Sequence, residues 1–324
     1  MEVKKGDILM DLINLDNVTV NNRAYGGASC GKIGIIYNGE NYLIKFPGNL
    51  KLKQFKNIDA SYSNSSVCEY IGSHIFEMIG MTVHKTFLGV RDGKIVVACK
   101  DFRKPAVRLT SFAEMKVTFE PALLDESGNR TDGTGSNLTD TLQVIREHPF
   151  FSGIDAELFF WKMLIGDAII GNPDRNNGNW GILIDDFTDK ILGIAPIFDN
   201  GNCLNNKWDD NKILRFMNDE KLIKAEAYSG KQFFFTKADG KKLNYFKIIE
   251  SGQYVKCTKA LHDLLPNINT MDYNNLIDSV DVLTTIQNKF YKLLIKLRIE
   301  ELNRIHDKLY SENSNTKTKS MYLF

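Results

Sequence analysis

The chain has 324 residues, 43% of them apolar and 25% charged, which suits one large or two moderate globular domains with a sizeable core. Its 41 basic and 40 acidic side chains leave a formal charge of +1, so no global field draws it to nucleic acid or to an anionic membrane. Five scattered cysteines (Cys30, Cys68, Cys99, Cys203 and Cys257) with no Cys-x-x-Cys pair argue against a disulfide framework or a zinc site, and for reduced packing thiols. The opening MEVKKGDILMDLINLD has charges on both sides of a short apolar stretch, unlike a signal peptide, and no run reaches membrane-spanning length. A soluble, cytoplasmic protein is expected.

Up to about Phe102, short β-type runs are punctuated by glycine and Asn-Gly. Within GGASCGKIGIIYNGENYLIKF, the spacing Gly26-x4-Gly31-Lys32 imitates a Walker A loop. Ile33 stands where the magnesium-binding hydroxyl belongs, however, and strand follows instead of helix, so that reading is rejected. IGIIY, Asn38-Gly39 and NYLIKF read as a β-hairpin with a type I′ turn, preceded by glycines that can drape over phosphates. Lys45, ending the second strand, is either a positive charge for a nucleotide or an ordinary edge lysine. If half-buried it needs a carboxylate. The helix-like SVCEYIGSHIFEMIG offers Glu69 and Glu77, with Ser65 and Ser66 as expected caps. Glu69 is the chosen partner, against the alternative of a first-turn acid favoured by the helix dipole. KIVVACKDF then reads as a strand whose backbone near Cys99 and Lys100 would meet an adenine ring.

Beyond Phe102 helical patterns dominate. The polar, glycine-rich segment from Asp125 to Asp140 reads as a loop or lid. Asp155 to Ile170 reads as a buried helix, ended by Gly171, Asn172 and Pro173 where Asp174 appears. WGILI and ILGIAPIF form a second hairpin that would bring Asp199 back beside Asn179. The stretch from Asn200 to Phe235, with Trp208, Asp209 and Asp210, reads as a loop able to wall in a substrate. Asp281 to Tyr310 reads as one or two amphipathic helices, and the remainder as a frayed tail. The expected division is a β-rich N-lobe over residues 1–102, a mostly helical C-lobe over 103–311 and a polar tail over 312–324.

Taken alone, DRNNGN is an Asn-rich turn whose side chains cap their own backbone. It is also what phosphoryl transfer requires: one carboxylate at the incoming hydroxyl, for which Asp174 is suited, and oxygen ligands for magnesium, for which Asn179 and Asp199 are suited. His74, His84, His148, His262 and His306 are dispersed with no nucleophile motif, and read as packing or surface groups.

The order glycine loop, YLIKFP, SVCEYIGSHIF, hinge strand, LIGDAIIGNPDRNNGNWGIL and PIFDNG, from about Gly26 to Asp199, resembles the HipA-like protein kinases, relatives of the phosphatidylinositol 3-kinase-like proteins. The resemblance implies an α+β, bilobal kinase fold, ATP with Mg²⁺, and transfer to serine or threonine hydroxyls of proteins, the enzyme itself included. It implies that Lys45 contacts the α- and β-phosphates and pairs with Glu69, that Asp174 acts on the substrate hydroxyl, and that Asn179 and Asp199 hold Mg²⁺. Backbone between Gly26 and Gly31, with Gly27 and Ser29, would cover the phosphates. Asn172-Pro173-Asp174 replaces His-Arg-Asp, Asp199-Asn200-Gly201 replaces Asp-Phe-Gly, and no full Gly-x-Gly-x-x-Gly is present. Arg175 would contact phosphate or be solvated. A small-molecule or lipid phosphotransferase and a nucleotide-binding pseudokinase are the alternatives. The likeness to a bacterial effector of this branch raises delivery into a host cell. No partner beyond ATP and a protein substrate is indicated, and the oligomeric state is open.

Overall fold

The computed structural model describes residues 12–25, 31–49, 63–119, 137–229, 235–237 and 239–321, with side chains as far as 311. In the N-terminal part, β1 (Ile13–Asn14), β2 (Lys32–Tyr37), β3 (Glu40–Lys45), β4 (Thr86–Arg91) and β5 (Lys94–Lys100) form one sheet in the order β1-β4-β5-β3-β2. Asn38 and Gly39 take φ of 49° and 77°, the two left-handed residues of a type I′ turn, and so set the register Lys32↔Lys45 through Tyr37↔Glu40. Side chains alternate across a strand, so Ile35, Ile44, Val96 and Ala98 form a small core on one face. Lys32, Leu43, Lys45, Val97 and Cys99 belong to the other. Helix α1 (Ser65–Met78) packs against β4 and β5 on that second face, with Val67, Ile71 and Ile75 buried.

Helices dominate the C-terminal part: α2 (Phe112–Phe119), α3 (Leu138–Glu147), α4 (Ala156–Ile170), α5 (Asp210–Met217), α6 (Glu220–Ala227), α7 (Tyr245–Glu250), α8 (Val255–Thr270), α9 (Tyr273–Asp278) and α10 (Thr285–Met321). The architecture is α+β, with a β-rich N-terminal and a helical C-terminal part. Twelve of the 15 residues of α4 are buried, which explains why its sequence shows no polar stripe. Asp155 caps its start by accepting from Leu158 N–H at 3.2 Å, and Gly171 ends it at φ 64°. A Cβ on Gly166 would lie 2.1 Å from Phe76 Cε1, so the missing side chain is what lets α1 seat on α4.

Several expectations give way. The helical part contains a second sheet, β6 (Val107–Ser111), β7 (Gly181–Asp185) and β8 (Ile191–Ile194), whose first strand the short VRLTS run did not announce. Of the segment expected to be a loop, residues 125–136 lie outside the described residues. Asn137 is already the cap of α3, accepting from Thr139 N–H at 2.9 Å. Asn200 to Phe235 carries two helices, α5 and α6, with Asp209 as a cap and Trp208 packed on Phe216 and Phe290. Where a frayed tail was expected, α10 runs on to Met321, because an established helix adds a hydrogen bond per residue with no new nucleus. Among the described residues no helix is long and apolar enough to cross a membrane.

Candidate active site

Lys45 Nζ lies 2.9 Å from Glu69 Oε2 and 2.9 Å from Asp199 Oδ1, so one ammonium joins β3, α1 and the segment after β8. Glu77 pairs instead with Lys85 at the surface. Ser65 and Ser66 are not caps: Asn64 precedes the helix without a side-chain cap bond. Ser65 Oγ accepts from Gly48 N–H at 3.3 Å and Ser66 Oγ donates to Lys45 O at 3.3 Å. These bonds tie the helix start to the chain leaving β3, which sets Glu69 beneath Lys45. A Cβ on Gly201 would sit 3.0 Å from Glu69 Oε2, so the glycine of Asp-Asn-Gly makes room for that carboxylate. Asp199 has φ 61°, a left-handed conformation that costs a non-glycine residue about 1–2 kcal/mol. Such a conformation persists only where its surroundings hold it, and here Lys45 grips the side chain.

The turn after α4 does what an Asn-rich turn does and leaves its carboxylate out. Asn172 Oδ1 accepts from Asp174 N–H at 3.0 Å, Asn176 Oδ1 from Gly178 N–H at 2.9 Å, and Asn179 Nδ2 donates to Asp174 O at 2.9 Å. The Asp174 carboxylate takes no part in the turn: its Oδ2 accepts from Asn202 Nδ2 at 2.7 Å. With Nδ2 of Asn179 occupied, its Oδ1 is the atom left for a cation.

Arg175 is neither solvated nor a phosphate contact. It is fully buried and grips Asp167 of α4 with Nε to Oδ2 at 2.9 Å and Nη2 to Oδ1 at 3.0 Å. Nη1 donates to Asn179 O at 3.1 Å and to Phe198 O, and Nη2 donates to Asn200 Oδ1. One guanidinium thus clamps both ends of the second hairpin, which is how Asn179 and Asp199 become neighbours. Burial pushes the Asp167 carboxyl up, and Arg175 offsets part of that.

Of the glycine segment, Gly26, Gly27 and Ser29 lie outside the described residues. Its flanks are anchored: Gly31, at φ 87°, accepts from Phe46 N–H at 3.0 Å, and Tyr25 OH donates to Asp101 Oδ2 at 3.1 Å. At Cys99 and Lys100, whose backbone was expected to meet an adenine ring, the amide donors are engaged within the protein. Cys99 is paired on both sides, with Leu43 and Thr86. The N–H groups of Lys100 and Asp101 are spent on Lys85 O and Asn41 O, and the Lys100 ammonium reaches out to Glu40. Phe102 N–H, next along, has no acceptor among the described residues.

Sequence reasoning missed Asp167, Asn202, Ser73, Asn200 and His84. It also missed Lys32, which the hairpin register sets directly across from Lys45. That register was legible from Asn-Gly; the others depend on which faces of α1 and α4 meet. His84 is buried, with Nε2 3.0 Å from Glu69 Oε1.

Burial alone would lower the Lys45 ammonium, but the Asp199 and Glu69 carboxylates reverse this and hold it above its ordinary value. Burial likewise opposes the Glu69 carboxylate, yet Lys45 and then His84 hold it well below the usual range. Lys45 also lowers Asp199. Because the folded value of Glu69 is depressed, its ionised form contributes full stability above the ordinary carboxylate value of about 4.3 and loses it as pH falls below that. The gap in urea midpoint between wild type and Glu69→Gln is therefore expected to be widest near pH 7 and to shrink below about pH 4. A constant gap across that range would contradict the assignment.

No protein-family model matches the chain. The serine/threonine-protein kinase CtkA of Helicobacter pylori is 33% identical over 276 residues, 85% of this chain and 81% of that protein. A crystal structure of the Helicobacter pylori proinflammatory kinase CtkA superposes with a TM-score of 0.83 at 30% identity, over 93% of this chain and 98% of that one. A HipA–HipB–operator DNA complex from Shewanella oneidensis reaches a TM-score of 0.44 at 11% identity, over 89% of this chain and 68% of that one, a level at which nothing about this chain follows. The chain belongs to the family of serine/threonine-protein kinases represented by CtkA.

Proposed function

We propose that the chain transfers the γ-phosphate of ATP to serine or threonine hydroxyls of proteins, its own among them, with residues 1–102 holding the nucleotide and residues 103–311 carrying the transfer groups. One observation carries this reading: a half-buried lysine bridges Glu69 and Asp199, while Asp174 keeps its carboxylate outside the hydrogen bonding of its own turn. Lys45, fixed by Glu69, presents its charge to the α- and β-phosphates. Asp174 accepts the proton of the incoming hydroxyl and orients it, Asn202 holding the carboxylate until a substrate arrives. Asp199 and Asn179 supply hard oxygen ligands of the kind Mg²⁺ takes, and the strained backbone at Asp199 fits a residue held for that task. Bound there, Mg²⁺ would neutralise charge on the phosphates. Phe102 N–H is the backbone donor open to an adenine edge. Positioning and electrostatics supply most of the rate in such transfers.

Asp209 caps a helix through Oδ1 and Trp208 packs on Phe290, which weighs against their serving as the acidic and aromatic wall of a small-molecule phosphotransferase. Incubation with γ-labelled ATP, Mg²⁺ and a mixture of protein, sugar and lipid acceptors tests the reading. Label on protein is expected; label confined to sugar or lipid would overturn it.

A further inference from the structure

The charged contacts around Lys45 continue into a closed ring. Glu69 Oε2 holds Lys45, which holds Asp199. The other oxygen, Oε1, is buried and lacks an aligned hydrogen-bond donor, but lies 3.0 Å from His84 Nε2. That nitrogen is 3.1 Å from Ser73 Oγ, four residues along α1 from Glu69, and Ser73 Oγ accepts from Asn200 Nδ2 at 3.0 Å. Asn200 is the neighbour of Asp199 in sequence and is itself held by Arg175. The backbone at His84 is fixed as well, its main-chain N–H donating to Ile197 O at 3.0 Å in the strand-like run that leads to Asp199. Glu69, Ser73, His84 and Asn200 are all buried.

We propose that His84 is a positioning residue for the proposed nucleotide lysine: it holds the second oxygen of Glu69 and, through Ser73 and Asn200, locks the Lys45–Glu69 pair in register with Asp199. This rests on reading Lys45 as the lysine that contacts phosphate. A carboxylate with one oxygen unsupported in an apolar site rotates or takes up a proton, and either change releases Lys45. A ring of contacts also restricts α1 against the Asp-Asn-Gly segment more than a single ion pair does, because no member can move without straining two others. One ligand atom each from Glu69, His84 and Cys99 lies within 4.8 Å of the other two, a donor set that zinc accepts. The Lys45 ammonium already meets the Glu69 charge, and burial pushes the Cys99 thiol up, away from the thiolate a metal needs.

The test is calorimetric binding of Mg-ATP to the full chain as wild type, His84→Leu, His84→Gln and Ser73→Ala, with melting temperature as a control. His84→Leu is expected to weaken Mg-ATP binding about tenfold, as loss of an orienting partner does. His84→Gln, which keeps an N–H, should stay within about threefold of wild type, and Ser73→Ala should fall between the two. Wild-type affinity in both His84→Leu and Ser73→Ala would overturn the proposal. So would equal losses in His84→Leu and His84→Gln that follow a drop in melting temperature, the mark of a packing role alone. If His84→Leu does not fold, Ser73→Ala and His84→Gln decide it by the same comparison. Absence of Mg-ATP binding in wild type would instead overturn the kinase reading, and this inference with it.

Discussion

Arg175→Met is expected to destabilise the fold by about 3–5 kcal/mol, the cost of leaving a buried carboxylate without its partner. Asp167 and Arg175 are both fully buried, and each uses two atoms on the other. Removing the guanidinium leaves Asp167 with only Asn172 Nδ2, at 3.1 Å, and frees the carbonyls of Asn179 and Phe198 that it gathers. Two effects then add: an unpaired buried charge, and loss of the clamp that sets the second hairpin against α4. Urea unfolding followed by circular dichroism reads the first, and the Asp167→Leu, Arg175→Met double variant separates them. Replacing the whole pair removes the stranded charge, so the double variant should regain much of the stability lost in the single one. It should not regain activity. A single variant with a wild-type midpoint would show that the pair contributes nothing.

Asp174→Ala is expected to lower phosphate transfer by about 10²–10⁴-fold, the usual contribution of a positioned general base, while leaving Mg-ATP affinity within about twofold. The separation follows from the geometry. The Asp174 carboxylate touches Asn202 and neither Lys45 nor Asp199, and the turn around it is held by backbone groups that alanine retains. Stopped assays with labelled ATP give the rate and calorimetry gives the affinity. A matching loss in both would place Asp174 among the nucleotide ligands.

What the sequence made legible was local. Asn38-Gly39 announced a type I′ hairpin because only residues tolerant of positive φ close a two-residue turn, and the hairpin in turn fixed where Lys45 stands. Gly171 announced the end of α4 for the same reason. The apolar run of α4 announced burial, though not the partner: that Phe76 of α1 fills the space left by Gly166 depends on two helices 90 residues apart meeting face to face. Arg175 shows the limit most plainly. In the linear order it stands beside the Asp174 carboxylate in an Asn-rich loop, where a cation reads as solvated or phosphate-bound. Its acceptors come from α4, from its own turn and from the end of the second hairpin, so no spacing rule reaches them. His84 was legible only as one of several dispersed histidines, because its partners are on α1 and not in its own strand-like segment.

The proposed function requires Asp174 and the Lys45–Glu69–Asp199 cluster to form one phosphoryl-transfer site acting on proteins. Phosphosite mapping by mass spectrometry tests it most directly, on the purified chain and on a heat-treated lysate after addition of Mg-ATP, with Asp174→Ala in parallel. The expected result is phosphoserine or phosphothreonine on wild-type chain and on lysate proteins, and none above background with Asp174→Ala. Equal phosphorylation by the two proteins, or none by either while Mg-ATP still binds, would contradict the claim.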